Sequence, residues 1–320
     1  MSFSFDEGTS TPCAPDGGEP LSLSPDDAFT LLGNETRVAI LRALWEAHEP
    51  YDSDTAVPFS ELFDRVGVDD TGNFNYHLGR LTGHFVRRTE SGYELTAPGF
   101  EIVHALVAGT ATENPILEPA VVAANCPRCE RRIEIVYTDG TVWARCPHCE
   151  GYWPQRGGEI FGFSLPPEGL RDRDPDEILE ATIRYSIHRF ESMNDGVCPE
   201  CGGSVDGSLA VCEDHDPCDA ICDRCSSYFA GVITFVCRSC KFAWRSPGWA
   251  PVHDHPALVS FYYDHGIEHV LDDWMAMKRS FDWREEVVST DPPRLGVTVS
   301  YEGNERTFVL DETGTVVDVS

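Results

Sequence analysis

Residues 73–81 read Asn73-Phe74-Asn75-Tyr76-His77-Leu78-Gly79-Arg80-Leu81, and residues 86–96 read Val86-Arg87-Arg88-Thr89-Glu90-Ser91-Gly92-Tyr93-Glu94-Leu95-Thr96. The first stretch divides by helical periodicity. Phe74, Leu78, Leu81 and Phe85 are spaced 4, 3 and 4 and form one apolar stripe for a core. Asn73, Tyr76, His77 and Arg80 form a second face, with Asn75 near its edge. The second stretch reads as two short strands around a Ser91-Gly92 turn.

Working towards the N-terminus, four helices are expected. Asp26 to Leu32 is short, and Asn34 can cap the second. Phe59 enters a third that stops at Gly67, and Asp69-Asp70-Thr71-Gly72 starts the fourth. Beyond the hairpin a last helix runs from Pro98 to Ala108, with Thr96 as N-cap. Four helices, a hairpin and a helix make the order of a winged helix-turn-helix.

Three motifs in that order carry a family resemblance. They are Leu31-Leu32-Gly33-Asn34-Glu35-Thr36-Arg37-Val38-Ala39-Ile40-Leu41, then Asn75 to Leu81, then Val86 to Thr96. The segment resembles the ArsR-like winged-helix regulators, and most of all the halophile type that appends a cysteine-rich C-terminal region. The resemblance implies binding of double-stranded DNA, usually as a homodimer. One departure matters. Metal-sensing members carry a Cys-x-Cys pair on the helix before the recognition turn, and Glu61 to Gly67 has no cysteine. The resemblance therefore does not extend to metal sensing in this domain.

The chemistry of the fourth helix agrees with that expectation. Asn pairs with adenine and Arg with guanine in the major groove, while Tyr and His reach phosphates or bases. The candidate DNA-binding residues are Asn73, Asn75, Tyr76, His77 and Arg80 on the helix, with Arg87 and Arg88 on the wing. His84 reads as a packing residue. Ile102, Val103, Leu106 and Val107, with Phe29, Leu31 and Leu32, are apolar positions for either a dimer interface or the core.

Charge sharpens this picture. The 320-residue chain has 24 Lys+Arg against 54 Asp+Glu, a net charge of −30, and its only lysines are Lys241 and Lys278. Such a composition resembles halophile proteins, in which concentrated salt screens self-repulsion over about 3 Å. Yet Thr71 to Arg88 contains no acid while holding Arg80, Arg87, Arg88, His77 and His84. No stretch is apolar for the roughly 18–20 residues of a membrane span. Without a basic n-region and apolar h-region at the start, a cytoplasmic location is expected.

Cysteines divide the chain. Apart from Cys13, all of the 13 lie between Cys126 and Cys240. In a reducing cytoplasm they point to metal rather than disulfides. Cys126-Pro-Arg-Cys129 and Cys146-Pro-His-Cys149 flank a hairpin with an Asp139-Gly140 turn, the pattern of a zinc ribbon. His148 reads as a spectator. After a helix from Pro175 to Met193 come Cys198-x-x-Cys201, Cys212-x-x-His215, Cys222-x-x-Cys225 and Cys237-x-x-Cys240. Sequential pairing would unite Cys198, Cys201, Cys212 and His215, and separately Cys222, Cys225, Cys237 and Cys240, because shorter loops cost less to close. Crossed pairing of Cys198/Cys201 with Cys222/Cys225, or a ligand role for His253 or His255, are the alternatives. Either way three structural zinc ions are expected, with four protein ligands each and no open catalytic position. The sequence carries no His-Glu-x-x-His, Gly-x-Ser-x-Gly or phosphate-loop motif, so no enzyme is read. A second acid-free run, Ser226 to His253, sets Arg238, Lys241 and Arg245 among Phe229, Phe235, Phe242, Trp244 and Trp249; it reads as a zinc-module core, with a second nucleic-acid or partner surface as the alternative.

The expected architecture is α+β. A disordered acidic tail (1–24) precedes a winged helix-turn-helix (25–110), a zinc ribbon (111–168), a helix with a two-site zinc module (169–255), and a helical region ending in a β-meander (256–320). The expected function is a DNA-binding transcriptional regulator whose zinc-stabilised C-terminal modules engage a protein partner or effector. The rivals are a basal initiation factor resembling transcription factor E, and a zinc-scaffolded protein-interaction module.

Overall fold

Side-chain caps start four of the five helices of the N-terminal unit, all but the third, in this computed structural model, which describes residues 23–50, 55–153, 157–215, 221–267 and 274–320. The tail expected over 1–24 lies outside these residues except for Leu23 and Ser24, as do Cys13 and Cys218. Ser24 Oγ accepts from Asp27 N and starts α1 (Pro25–Leu32); Asn34 Oδ1 accepts from Arg37 N at 3.2 Å and starts α2 (Glu35–Glu46). Helix α3 (Phe59–Val66) ends on Gly67 in the left-handed region at φ 69°. Asp70 Oδ1 takes the N–H groups of Gly72 and Asn73 at the head of α4 (Thr71–Leu81).

Strands β1 (Val86–Arg88) and β2 (Tyr93–Leu95) pair antiparallel, with Arg87 opposite Glu94. Helix α5 (Ala97–Val107) follows, and Thr96 Oγ1 accepts from Gly99 N at 3.2 Å. Ile40, Leu41, Leu62, Phe74, Leu78 and Leu81 are almost wholly buried at the centre of this unit's core. Leu31 and Val103 join the core, whereas Phe29 is exposed.

The chain divides after Val107, and residues 108–320 form a second unit. Its first sheet is a four-stranded antiparallel meander of β3 (Leu117–Asn125), β4 (Arg132–Thr138), β5 (Thr141–Arg145) and β6 (Glu159–Ser164). The expected hairpin is its middle pair, turning at Asp139 and Gly140, both at positive φ. Helix α6 (Pro175–Asn194) begins with a reciprocal capping box between Asp174 and Glu177. A three-stranded sheet follows, β7 (Val205–Val211), β8 (Gly231–Cys237) and β9 (Ala243–Pro247).

Helices α7 (Pro256–Asp264) and α8 (Trp274–Ser280) precede a last meander of β10 (Arg284–Thr290), β11 (Pro293–Tyr301), β12 (Asn304–Leu310) and β13 (Val316–Val319). The modules read at 111–168, 169–255 and 256–320 all contribute to one continuous core, which runs from Val122 through Ile183 and Phe235 to Leu310. Hydrogen bonds join the sheets, among them Leu209 N donating to Glu312 O at 2.8 Å and Ala230 N donating to Glu285 Oε2 at 2.6 Å. Among the described residues no helix is long and apolar enough to cross a membrane.

Candidate metal centres and exposed helix face

Four of the Cys-x-x-Cys pairs fold into the same knuckle. In each, the N–H of the first cysteine donates to the carbonyl five residues on, and the N–H four residues on donates back to the first cysteine's carbonyl. Cys126 does so with Arg131 and Glu130, Cys198 with Gly203 and Gly202, Cys222 with Ser227 and Ser226, and Cys237 with Phe242 and Lys241. The residue after the second cysteine is always left-handed: Glu130, Gly202, Ser226 and Lys241 have φ between 52° and 69°. The tight turn points both sulfurs the same way while its amides face them. At Cys237 the amides of Ser239 and Cys240 lie 3.4 and 3.5 Å from Sγ, and with Cys240's backbone contribution the largest they pull the thiol down to about 6. The amides thus favour the thiolate that a metal requires.

The other two ligand pairs are held from outside. Cys146 N donates to Gly158 O, and Cys212 N to Ala230 O. A Cβ on Gly158 would sit 2.3 Å from Cys146 O, so only glycine permits this approach.

The first ribbon assembles as expected. Cys126 Sγ lies 3.6 Å from Cys149 Sγ, and Cys129 Sγ 3.4 Å from Cys146 Sγ, at the end of the sheet where β4 begins and β5 ends. Burial pushes the Cys126 thiol well above its ordinary range. His148 is exposed and outside the cluster.

The later pairs correct the sequence expectation. Cys198 and Cys201 meet Cys237 and Cys240, with Cys198–Cys240 and Cys201–Cys237 sulfur distances of 3.6 Å. Cys212 and His215 meet Cys222 and Cys225, with Cys225 Sγ 3.4 Å from His215 Nδ1. The pairing is nested, neither sequential nor crossed as above. Its cause is the ladder between β7 and β8, which runs without a break from Val205–Cys237 to Val211–Gly231. The knuckle before β7 therefore meets the one after β8, and the ligands after β7 meet the knuckle before β8. Loop closure favours sequential pairing by only about 1 kcal/mol, because its cost rises with the logarithm of loop length. Seven paired residues override that. His253 is fully buried elsewhere, and His255 caps α7 through Ala257 N, so neither is a ligand.

All three sets keep their ligand atoms within 4.8 Å of one another, so three groups are positioned to hold metal ions. Soft thiolate and imidazole donors with no carboxylate exclude the oxygen-seeking ions such as magnesium and calcium. Arg128, inside the first knuckle, spans to the module of the third set: Nη1 donates to Gly151 O and to Tyr228 OH, and the guanidinium lies 4.0 Å above the Tyr228 ring.

Two family models match the chain. One, described as domain of unknown function (DUF7351), covers residues 123–316, more than half of the sequence. The chain belongs to this family. The DUF7351 region contains every residue of the three ligand sets and nearly the whole continuous core. A second model, domain of unknown function (DUF7347), covers residues 25–106, which are α1 to α5 with the hairpin. No curated protein matches the chain.

The DUF7347 region holds the other expected residues. On α4, Phe74, Leu78 and Leu81 are buried, while Asn73, Asn75, Tyr76 and Arg80 are exposed. His77 is a correction: it is buried, its Nδ1 has no hydrogen-bond partner, and burial followed by the charge of Arg37 pushes its pKa down. At about 100° per residue, His77 lies on the boundary between the two faces, about 40° from Leu81 on one side and about 40° from Asn73 on the other, and packing takes it to the buried side. Arg80 makes no ion pair among the described residues. Arg87 is paired to Glu94 at 2.5 Å, and Arg88 stacks over Tyr93 at 5.9 Å.

Proposed function

We propose that the protein is a DNA-binding transcriptional regulator whose N-terminal unit is a winged helix-turn-helix and whose DUF7351 region is held together by three structural zinc ions. The observation that carries the reading is the exposed face of α4. Asn73, Tyr76 and Arg80 sit opposite the buried stripe, next to a hairpin with exposed Arg87 and Arg88 and with no acid from Thr71 to Arg88. In a chain of net charge −30 this is the surface suited to a polyanion. Helix α4 would enter the major groove, Asn73 and Arg80 would meet base edges, and the hairpin arginines would meet phosphates. Two copies would read two half-sites.

Zinc fits the ligand sets on geometry. Bonds of about 2.3 Å at tetrahedral angles separate sulfurs by about 3.8 Å, against 3.4–3.6 Å here. Bound zinc supplies cross-linking, and the residues that hold it are the three sets above. With four protein donors each, these sites leave no position for substrate. The test is selection of the full-length chain on random duplex DNA at several salt concentrations. Enrichment of one motif supports the regulator. Failure to enrich any sequence, with the protein folded and metal-loaded, overturns it.

A further inference from the structure

A cavity of about 430 Å³ lies in the second unit, where β6, α6, β9, the Cys225–Ser227 knuckle and the helices after β9 converge. That volume lies in the range of small-molecule sites, ~300–1,000 Å³. Its walls are aromatic, with Trp153, Phe161, Phe190, Phe229, Trp244 and Trp249 among them. Its polar groups are lopsided. Glu159, Glu191 and Asp254 line it, and among the described residues Arg245, which is exposed, is the one Lys or Arg in the lining. Two polar atoms of lining residues, Ser186 Oγ and His253 Nδ1, are buried with no hydrogen-bond partner among the described residues. Such orphans call for an explanation, because each forfeits a hydrogen bond it had in water.

We propose that this cavity binds a small organic cation with an aromatic body, such as an arylalkyl ammonium. Aromatic faces carry negative potential and attract a cation within about 6 Å. The three carboxylates add to that attraction. Asp254 is already held above the ordinary carboxylate range, by burial first and also by Asp195 and Glu191. A cation beside it would relieve that repulsion, while an anion would deepen it. His253 is neutral, since burial and then Arg279 push it down to about 3, so it offers an acceptor and no competing charge. The site stands on the second unit alone and does not depend on DNA binding.

The test is calorimetric titration of the full, metal-loaded chain at one ionic strength with benzyltrimethylammonium, benzyl alcohol, benzoate and tetramethylammonium. Saturable one-to-one binding of benzyltrimethylammonium is expected, with each of the other three at least about tenfold weaker. Non-saturating uptake shared equally by tetramethylammonium would be attraction to the chain's net charge and would overturn the site. Equal binding of benzoate would overturn the cation preference. Asp254→Asn keeps an acceptor for the Asn194 amide and should weaken the cation several-fold without changing benzyl alcohol. An unchanged cation affinity in a folded Asp254→Asn variant would also count against the proposal. The four-probe comparison on the unmodified chain decides the matter even if the variant does not fold.

Discussion

Val205 stands directly across the β7–β8 ladder from Cys237. That single pairing brings the knuckle of Cys198 and Cys201 against that of Cys237 and Cys240, and leaves Cys212, His215, Cys222 and Cys225 to one another at the far end of the same two strands. Metal analysis can read the arrangement. The unmodified chain should carry three zinc ions. Cys201→Ser and Cys237→Ser should each lose one, and the double variant should still lose only one. Cys201→Ser with Cys212→Ser should lose two. A loss of one ion from that last pair would restore the sequential assignment.

What was legible in the sequence followed from local chemistry. Asn34, Asp70 and the Asp174–Glu177 box start helices because their side chains satisfy amides within three residues. The first ribbon was readable because its two cysteine pairs flank one short hairpin. The nested pairing was not, because Asp206-Gly207-Ser208 interrupts the apolar pattern of β7 and its partner lies beyond a long insertion. Strand β10 hid for a similar reason: its inward positions include Glu285 rather than an unbroken apolar set. Periodicity alone does not settle His77: it is as near in angle to Asn73 as to Leu81, and only the packing of the core makes it buried. The aromatic cavity has no local signature, since its walls come from Trp153 to Phe281.

Chelation should act on one unit. If the three ligand sets hold zinc as proposed, each can contribute on the order of 10 kcal/mol to folding, and all three lie in residues 108–320. Excess chelator should open that unit to protease while α1 to α5 stay protected, because the core around Ile40 and Leu78 contains no ligand. Loss of protection in both units together would show that the first depends on the second.

Glu285 gives a pH prediction. Its carboxyl is buried, accepts from Ala230 and Gly231 amides, and is pushed up to about 7, burial being the cause. An acid whose folded pKa is raised binds more protons folded than unfolded. Stability therefore falls as pH rises from about 4.5 to about 7 and levels off above, by on the order of 3 kcal/mol. His253, pushed down to about 3, acts in the opposite sense: its contribution rises with pH from about 3 to about 6.5. Glu285→Gln removes only the first effect. The stability difference between variant and parent should grow in the variant's favour across pH 4.5–7 and then stay flat, with metal effects common to both proteins. A difference independent of pH would mean that the carboxyl does not titrate there.

If α4 reads bases, Arg80→Ala should cost about 1–3 kcal/mol on the selected site and relax one base position. His77→Leu should leave base preference unchanged, because the imidazole is buried beside Leu78 and not presented to solvent. Altered specificity in the His77 variant, with the fold intact, would return that residue to the reading face.

Salt dependence tests the wing. Each phosphate neutralised contributes about 0.9 to the slope of log K against log salt. The face offers three arginines per copy, Arg80, Arg87 and Arg88, and Arg87 is tied to Glu94 across the β1–β2 pair. A shallow slope, no steeper than about −3 per copy, is therefore expected. Glu94→Gln releases Arg87 from its ion pair, so it should strengthen binding to all sequences at low salt and steepen the slope by up to about 0.9. Arg87→Ala should weaken all sequences alike and abolish the effect of Glu94→Gln. If Glu94→Gln changes neither affinity nor slope, Arg87 does not meet the phosphate backbone, and the hairpin is not a wing against DNA.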